Sequence, residues 1–329
     1  MNTTSSTFER DSVTPDAGPY TVVGGNGVDT ESKNRPGLSI VLVNRGSRQF
    51  RRDLFDELCK IGAREVISLE SSPCPYDVDA LVRRHENLRF IVFSRSSNTG
   101  ARIDAAFREA VSDHVFVLHG DMTLKAADIS SRVFAKIADR NRVCTVPVFR
   151  DGRGELLPSV IGPVPGSKGQ FDFQPVLPES RELPTLVPWD YAGIYKKDLH
   201  MAVGGFDARI EESWWQVMEY GMRCWLFGDG PVTHPSLRVG YLDYSPSLDA
   251  STGAGYRRFF LKTLAIRFRG GMARLPRARW WAYMKFSGES ATSSRETWKE
   301  IRHWVQQNQY RFRRDAASLT RQWDWGNGE

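Results

Sequence analysis

The chain has 329 residues, 40% of them hydrophobic and 26% charged, which is enough apolar material for one large or two ordinary domains and excludes a wholly disordered, collagen-like or multi-spanning membrane protein. Lys and Arg total 45 against 39 Asp and Glu, a net charge of +6. Residues 256–329 hold 16 basic and 6 acidic side chains, so the basic character belongs to the C-terminal tail rather than to the main fold.

Cys59, Cys74, Cys144 and Cys224 are far apart and form no CxxC or Cys/His pairing, which argues against a zinc site or a disulfide framework and suits a reducing compartment. The N-terminus lacks the basic and apolar regions of a secretion signal, and no run approaches the roughly 18 apolar residues of a membrane span. The expected location is cytoplasmic, extending to the inner face of the cytoplasmic membrane if the tail meets lipid.

Residues 1–36, rich in Thr, Ser, Gly, Asp and Asn, are expected to form a flexible leader. The Gly24-Gly25-Asn26-Gly27 cluster has the wrong glycine spacing for a dinucleotide loop, and no clear helix follows it. From Leu38 onward, short apolar runs at 38–43, 65–69, 89–93 and 115–118 alternate with helical patterns at 49–61, 77–84 and 99–111. A further helix and strand follow at 126–140 and 143–149. Runs of this kind read as strands buried on both faces by crossover helices, giving an α/β fold with a mostly parallel sheet.

Residues 150–188, dense in Gly and Pro, read as a long excursion beside the site. A strand is expected across Trp189–Tyr195, a helix from about Ser213 to Phe227, a last strand from Leu237 to Tyr244, and two or three helices after Gly255. The domain reading is a leader at 1–36, a main domain at 37–250 and a helical basic tail at 251–329. The main domain divides into a first half at 37–149, the loop at 150–188 and a second half at 189–250.

Ligands of open α/β sheets bind beyond the carboxyl ends of the strands. The polar residues there are Asn44 and Arg45, Glu70, Arg95 to Asn98, and His119-Gly120-Asp121. The Leu38–Val43 strand, Glu70 on the second strand, the Asn98-Thr99-Gly100 helix start and Val117-Leu118-His119-Gly120-Asp121 occur in order. Gly204-Gly205-Phe206-Asp207 and Glu219-Tyr220-Gly221-Met222-Arg223 follow. In these segments, over about 38–245, the chain resembles a family 2 glycosyltransferase of the GT-A fold.

The resemblance implies a glycosyltransferase domain at 37–250, its nucleotide-binding half at 37–149 and its acceptor half at 189–250, that transfers a sugar from a UDP-linked nucleotide-sugar donor to a glycan, lipid-linked or protein acceptor, with inversion and with help from Mn2+ or Mg2+. Asn44, Glu70, Asn98, Arg102, Asp104, Gly120 and Asp121 are the implied donor residues. For Glu70 the alternative is a solvated turn acid, and for Arg102 an exposed helix arginine. Asp121 matches the second acid of the Asp-x-Asp metal motif, and His119 replaces the first; imidazole suits manganese better than magnesium. A later metal-binding histidine of the family aligns with Tyr241, and His234 and Asp243 lie nearby.

The family's Glu-Asp base pair falls on Gln216 and Val217, neither of which can take a proton. Glu211, Glu212 and Asp190 are the alternative catalytic carboxylates, with Glu212 about one helical turn before Gln216. Trp189, Trp214 and Trp215 are candidate acceptor-stacking rings, although adjacent helix residues point about 100° apart and at most one of the last two is expected to face a sugar.

Two rival readings stand beside this one. A catalytically inactive relative that binds sugar or scaffolds a partner is suggested by His119 and the absent base pair. A nucleotidyltransferase needs a glycine-rich basic loop after the first strand, where only Gly46 stands. In the tail, arginines interleave with aromatics, a pattern that can seat a helix in an anionic membrane surface or simply pack on the main domain. No nucleic-acid module is recognisable.

Overall fold

The computed structural model describes residues 9–14, 16–25, 37–44, 52–166, 171–242, 249–287 and 290–325. In chain order the first half comprises β1 (Glu9–Thr14), β2 (Gly18–Gly24), β3 (Leu38–Val43), α1 (Arg52–Lys60), β4 (Glu65–Ser71), α2 (Val78–Arg84), β5 (Leu88–Phe93), α3 (Thr99–Glu109), β6 (His114–His119), β7 (Met122–Thr123), α4 (Ser131–Ala138) and β8 (Cys144–Arg150). It continues with β9 (Val160–Pro165), β10 (Phe171–Val176), β11 (Gly193–Lys196), α5 (Lys197–Val203), α6 (Ser213–Phe227) and β12 (Val232–Tyr241). The tail holds α7 (Ala254–Phe259), β13 (Arg267–Arg269), β14 (Met272–Arg274), α8 (Ala278–Ser287), α9 (Ala291–Asn308) and α10 (Ala316–Arg321).

The fold is α/β. One ten-stranded sheet runs in the order β1-β2-β5-β4-β3-β6-β11-β8-β12-β7, flanked by helices. β5, β4, β3 and β6 are mutually parallel, β11 runs antiparallel between β6 and β8, and β12 pairs parallel with β8. The reason is visible in the burial of β3, whose six residues are all buried: a strand covered on both faces has no polar alternation and must sit at the centre.

The leader expectation is corrected. Glu9–Thr14 and Gly18–Gly24 form a hairpin that adds antiparallel to β5, pairing Tyr20 with Phe93 and Val22 with Ile91. Tyr20 and Val22 are buried, so the alternating Pro19–Val23 stretch is a strand with one core-facing side, which an average over 36 residues concealed. Asn26 and Gly27 of the glycine cluster lie outside the described residues. The expected strand at Trp189–Tyr195 starts late: Trp189–Tyr191 is a 3-10 turn in which Asp190 and Tyr191 have φ of 52° and 60°, a left-handed geometry that no ladder accepts. The 150–188 excursion contains part of the antiparallel β9–β10 hairpin, and the tail includes the β13–β14 hairpin as well as helices.

Two glutamates on β4 show how position assigns role. Glu65, at the start of the strand, is fully buried. It accepts from Ser39 Oγ (2.6 Å), Val111 N (2.7 Å) and Arg89 Nη1 (2.8 Å), and it locks the amino-terminal edge of the sheet. Glu70, at the other end, faces the crevice side described below.

The tail is bound to the main domain through buried charge. Glu219 on α6 is fully buried and accepts from Arg223 Nε (2.8 Å) and Lys262 Nζ (2.9 Å). Asp207 accepts from Arg258 Nε (2.6 Å) and Lys262 Nζ (2.8 Å). Burial alone would raise the Asp207 carboxyl, but Lys262 and Arg258 hold it well below the usual carboxylate range, and Arg223 and Lys262 likewise depress Glu219. Around this cluster, Phe259, Leu261, Ile266, Tyr283, Trp298, Ile301 and Phe312 join the main core.

Both carboxyls titrate lower in the folded than in the unfolded chain. Their contribution is therefore complete above about pH 4.5 and is lost as pH falls toward the depressed folded values. Replacing Lys262 by Met removes the cation the two buried acids share and leaves Asp207 to Arg258 and Glu219 to Arg223 alone. Urea unfolding is expected to show a loss of about 3 kcal/mol at neutral pH, and the acid-unfolding midpoint, followed by far-UV circular dichroism, is expected to move to higher pH.

Candidate active site

The registers of β3, β4 and β6 bring the expected donor residues to one edge. Val43 pairs with Leu69 on one side and with His119 on the other, so Asn44, Glu70 and Gly120 occupy the next row at the carboxyl ends of three adjacent parallel strands. Glu70 and Gly120-Asp121 are thus two strands apart, about 10 Å in the hydrogen-bonding direction. Gly120 N donates to Val43 O at 3.0 Å, and a Cβ on Gly120 would meet nothing closer than that oxygen at 3.9 Å, so the strand end opens onto space.

Glu70 is buried, accepting from Asn44 Nδ2 (2.9 Å) and Ser68 Oγ (2.6 Å). The Tyr76 hydroxyl lies beside it, and burial together with the Glu70 charge raises the pKa of that phenol, which therefore keeps its proton. Arg102, on the first turns of α3, stands over the Phe93 ring at 4.8 Å. Burial lowers the Arg102 pKa while the Glu70 charge opposes the shift. Its buried Nε and Nη2 meet no hydrogen-bond acceptor among the described residues. A half-buried guanidinium with two unmet donors is costly unless a ligand supplies acceptors.

A second cluster adjoins Asp121. His119 Nε2 lies 2.8 Å from the Asp190 carbonyl oxygen, which can only accept, so this nitrogen carries the proton. The Asp190 carboxylate accepts from Tyr241 Oη at 3.0 Å and lies 3.6 Å from His119 Nε2. Tyr241 is held beside Asp121 because β12 pairs Tyr241 with Met122, while Leu242 N donates to Asp121 O at 3.0 Å. The left-handed backbone of Asp190 and Tyr191 is the strained element that turns this carboxylate toward His119.

As for a divalent cation, the donors here are the buried Asp121 carboxylate and His119, whose Nε2 is already committed. No group of three or more His, Cys, Asp or Glu side chains able to hold a metal occurs among the described residues. The residues present fit a cation held by one protein carboxylate, with the remaining ligands from a diphosphate and water, as hard cations commonly accept. His234 lies toward the other end of β12, near Glu182, and Asp243 lies outside the described residues.

Several expected site residues prove to be internal scaffolding. Asn98 caps α3, accepting from Ala101 N (3.0 Å), and donates to Ala208 O (2.5 Å). Asp104 turns inward, with Oδ1 2.8 Å from His200 Nε2 and Oδ2 accepting from Phe206 N at 2.9 Å. Gly205, at φ 63°, allows this turn to sit against Asp104, where a Cβ would collide with the carboxylate. Asn98 is spent on the carbonyl of Ala208 and on Gln216, and Asp104 on His200 and the Gly204–Asp207 loop. Trp189, Trp214 and Trp215 are likewise core: all three are buried, with Trp214 against Phe173 and Trp215 stacked on Phe259 at 5.2 Å. They offer no stacking face, because α6 is enclosed by the β9–β10 hairpin and the tail.

Glu211 is exposed, whereas Glu212 accepts from Gly255 N at 3.0 Å and so receives the start of α7. Gln216 was expected only as a failed base, yet it is the hub between the elements around it. Its Oε1 accepts from Tyr191 Oη (2.6 Å) and Gly100 N (3.0 Å). Its Nε2 donates to Asp207 O (2.9 Å), Ile210 O (3.0 Å) and Asn98 Oδ1 (3.1 Å). An amide supplies both donors and acceptors here, which a carboxylate could not. Local sequence does not mark Tyr191 and Tyr241 as donors to Gln216 and Asp190, since the turn at Trp189–Tyr191 and the β12 register bring them in.

No family model matches the chain, and no curated protein matches it. Among solved structures, GalNAc-T7 with UDP, GalNAc and Mn2+ is similar over 69% of this chain and 49% of its own, at 10% identity and a TM-score of 0.48. The S. aureus TarS fragment 1-349 in complex with UDP-GlcNAc is similar over 81% and 72%, at 13% identity and 0.49. The mannosyltransferase PcManGT from Pyrobaculum calidifontis with GDP-Man and Mn2+ is similar over 89% and 71%, at 14% and 0.42. The chain thus spans about half the length of the GalNAc-T7 chain.

Replacing Gln216 by Ala strands the buried Gly100 N–H and removes the 2.6 Å partner of the Tyr191 hydroxyl. Chemical denaturation is expected to report a loss of about 3 kcal/mol, with Gln216→Glu also destabilising because it places a charge among carbonyl oxygens.

Proposed function

We propose that this chain is a glycosyltransferase that takes its sugar from a nucleotide-sugar donor, UDP-linked, with a divalent cation at Asp121. The observation that carries the reading is the unmet guanidinium of Arg102 beside Glu70 and Asn44, at the same strand ends as Asp121. Acceptors on the nucleotide's ribose and phosphates complete Arg102, while Glu70 and Asn44 offer an acceptor and a donor to its polar edge. The cation, when bound, stabilises charge on the departing diphosphate.

Inversion at the anomeric carbon needs one carboxylate to take the acceptor hydroxyl's proton. Of Asp190, Glu211 and Glu212, Asp190 is assigned this role, because Tyr241 and His119 hold it beside Asp121. Glu212 serves the start of α7 and Glu211 faces solvent. The His119 proton on the Asp190 carbonyl and the Tyr241 hydroxyl on its carboxylate fix the orientation of that group. The acceptor class, whether glycan, lipid-linked or protein, follows from what reaches Asp190.

The second reading, an inactive sugar-binding or scaffold relative, is favoured by one observation: an amide, Gln216, stands where the family carries an acid, and it is wholly engaged in internal hydrogen bonds.

Titration calorimetry with UDP and Mn2+ is the test. Binding is expected in the wild type, with Glu70→Ala and Arg102→Ala each weakening it about tenfold or more; no binding to any common nucleoside diphosphate ends the donor reading. Asp190→Asn is expected to keep UDP affinity while lowering the rate of donor hydrolysis by roughly a hundredfold or more. UDP binding without turnover in the wild type selects the inactive reading.

A further inference from the structure

The tail contains more cations than its internal chemistry uses. Arg258 and Lys262 neutralise Asp207 and Glu219, and Arg258 also reaches Glu300. A different set of arginines lines a groove of about 540 Å³ between the β13–β14 hairpin and α10: Arg267, Arg269, Arg313, Arg314 and Arg321. Among the described residues no carboxylate forms an ion pair with any of the five. The one acid lining the groove, Asp315, caps α10, accepting from Ser318 N at 2.9 Å, and the Arg267 charge helps hold its carboxyl low, so one acid stands against five arginines.

This concentration of charge is unfavourable in the isolated chain. The hairpin register sets Arg267 directly opposite Arg274, a like-charge cross-strand pair. Arg279 is depressed by burial and by the nearby Arg267 charge. Such repulsion is relieved when an anion enters.

Among the described residues, the two exposed large aromatic side chains both lie in the tail: Trp281, 71% exposed, two residues beyond Arg279 in the chain, and Tyr310, 66% exposed, three residues before Arg313. Rings left in water on segments this rich in arginine match the headgroup region of a bilayer, where an aromatic enters the interface and arginine meets phosphate.

We infer that the groove between the β13–β14 hairpin and α10 seats phosphate headgroups of an anionic membrane surface, with Trp281 and Tyr310 entering the interface beside it. No helix of the described residues is long and apolar enough to cross a membrane. Attachment is electrostatic and salt-sensitive, and it does not depend on the transfer reaction proposed above.

Sedimentation with vesicles tests this. The full chain is expected to partition onto phosphatidylcholine vesicles containing roughly one third phosphatidylglycerol, and not onto phosphatidylcholine alone, with partition falling as salt rises. The double variant Arg269→Glu, Arg321→Glu alters two exposed side chains and is expected to lose roughly a hundredfold in partition while melting as the wild type does. If it misfolds, Arg269→Gln alone serves, with a severalfold loss expected. Trp281→Ala is expected to weaken vesicle binding and to leave retention of soluble inorganic polyphosphate unchanged.

Polyphosphate binding without partition onto anionic vesicles would assign the groove to a soluble phosphate chain and overturn the inference, as would equal partition of wild type and double variant, or no partition at all. UDP affinity, measured in parallel, is expected to be the same in wild type and variants. A failed lipid result therefore leaves the donor site standing, and a failed UDP result leaves the groove standing.

Discussion

Two carboxylates, Asp207 and Glu219, are buried together, and the fold tolerates them only because Arg223, Arg258 and Lys262 are delivered to the same place. Removing water from a carboxylate is expensive unless a partner with good geometry replaces it. Arg223 comes from α6 itself; Arg258 and Lys262 come from the tail. The tail is therefore a structural requirement of the main domain. The same cluster continues through Arg223 Nη2, which donates to Gly205 O at 2.6 Å, into the loop that cradles Asp104 and His200.

From that loop hydrogen bonds lead to Tyr191, one peptide bond from the candidate site. Asp207 O accepts from Gln216, Gln216 accepts from Tyr191, and Tyr191 adjoins Asp190, which holds His119 and Tyr241. Buried polar networks of this kind are useful only when every member is satisfied, and satisfaction fixes geometry. The left-handed Asp190-Tyr191 pair is the price of that geometry, held in place by hydrogen bonds on both sides. The arrangement separates scaffold from chemistry. Asn98, Asp104, Glu212 and Gln216 are committed inward, while Arg102, Asn44 and Glu70 remain at the strand ends.

The central strands were legible because each is buried on both faces and reads as an unbroken apolar run; Leu38–Val43 matches its strand to the residue, and α6 begins and ends where its pattern does. The row of Asn44, Glu70 and Gly120-Asp121 followed from the same parallel alternation. The β1–β2 hairpin was not legible, since its strand is short, alternating and diluted by polar neighbours. Trp189 and at most one of Trp214 and Trp215 read as stacking surface because sequence alone does not say which elements cover a helix. Here the hairpin of β9 and β10 and the stacked Phe259 cover both faces of α6.

The sequence by itself determined the α/β class, the strand ends at which polar residues gather and the segregation of positive charge into the tail, because hydrophobic period and charge are local properties of the chain. Only the tertiary structure decided which acids are spent internally, that Gln216 is a hub rather than a lost base, and which arginines remain for the outside. Those outcomes depend on partners a hundred residues apart, whose meeting is set by sheet register and by the cost of leaving a buried charge or donor unpaired.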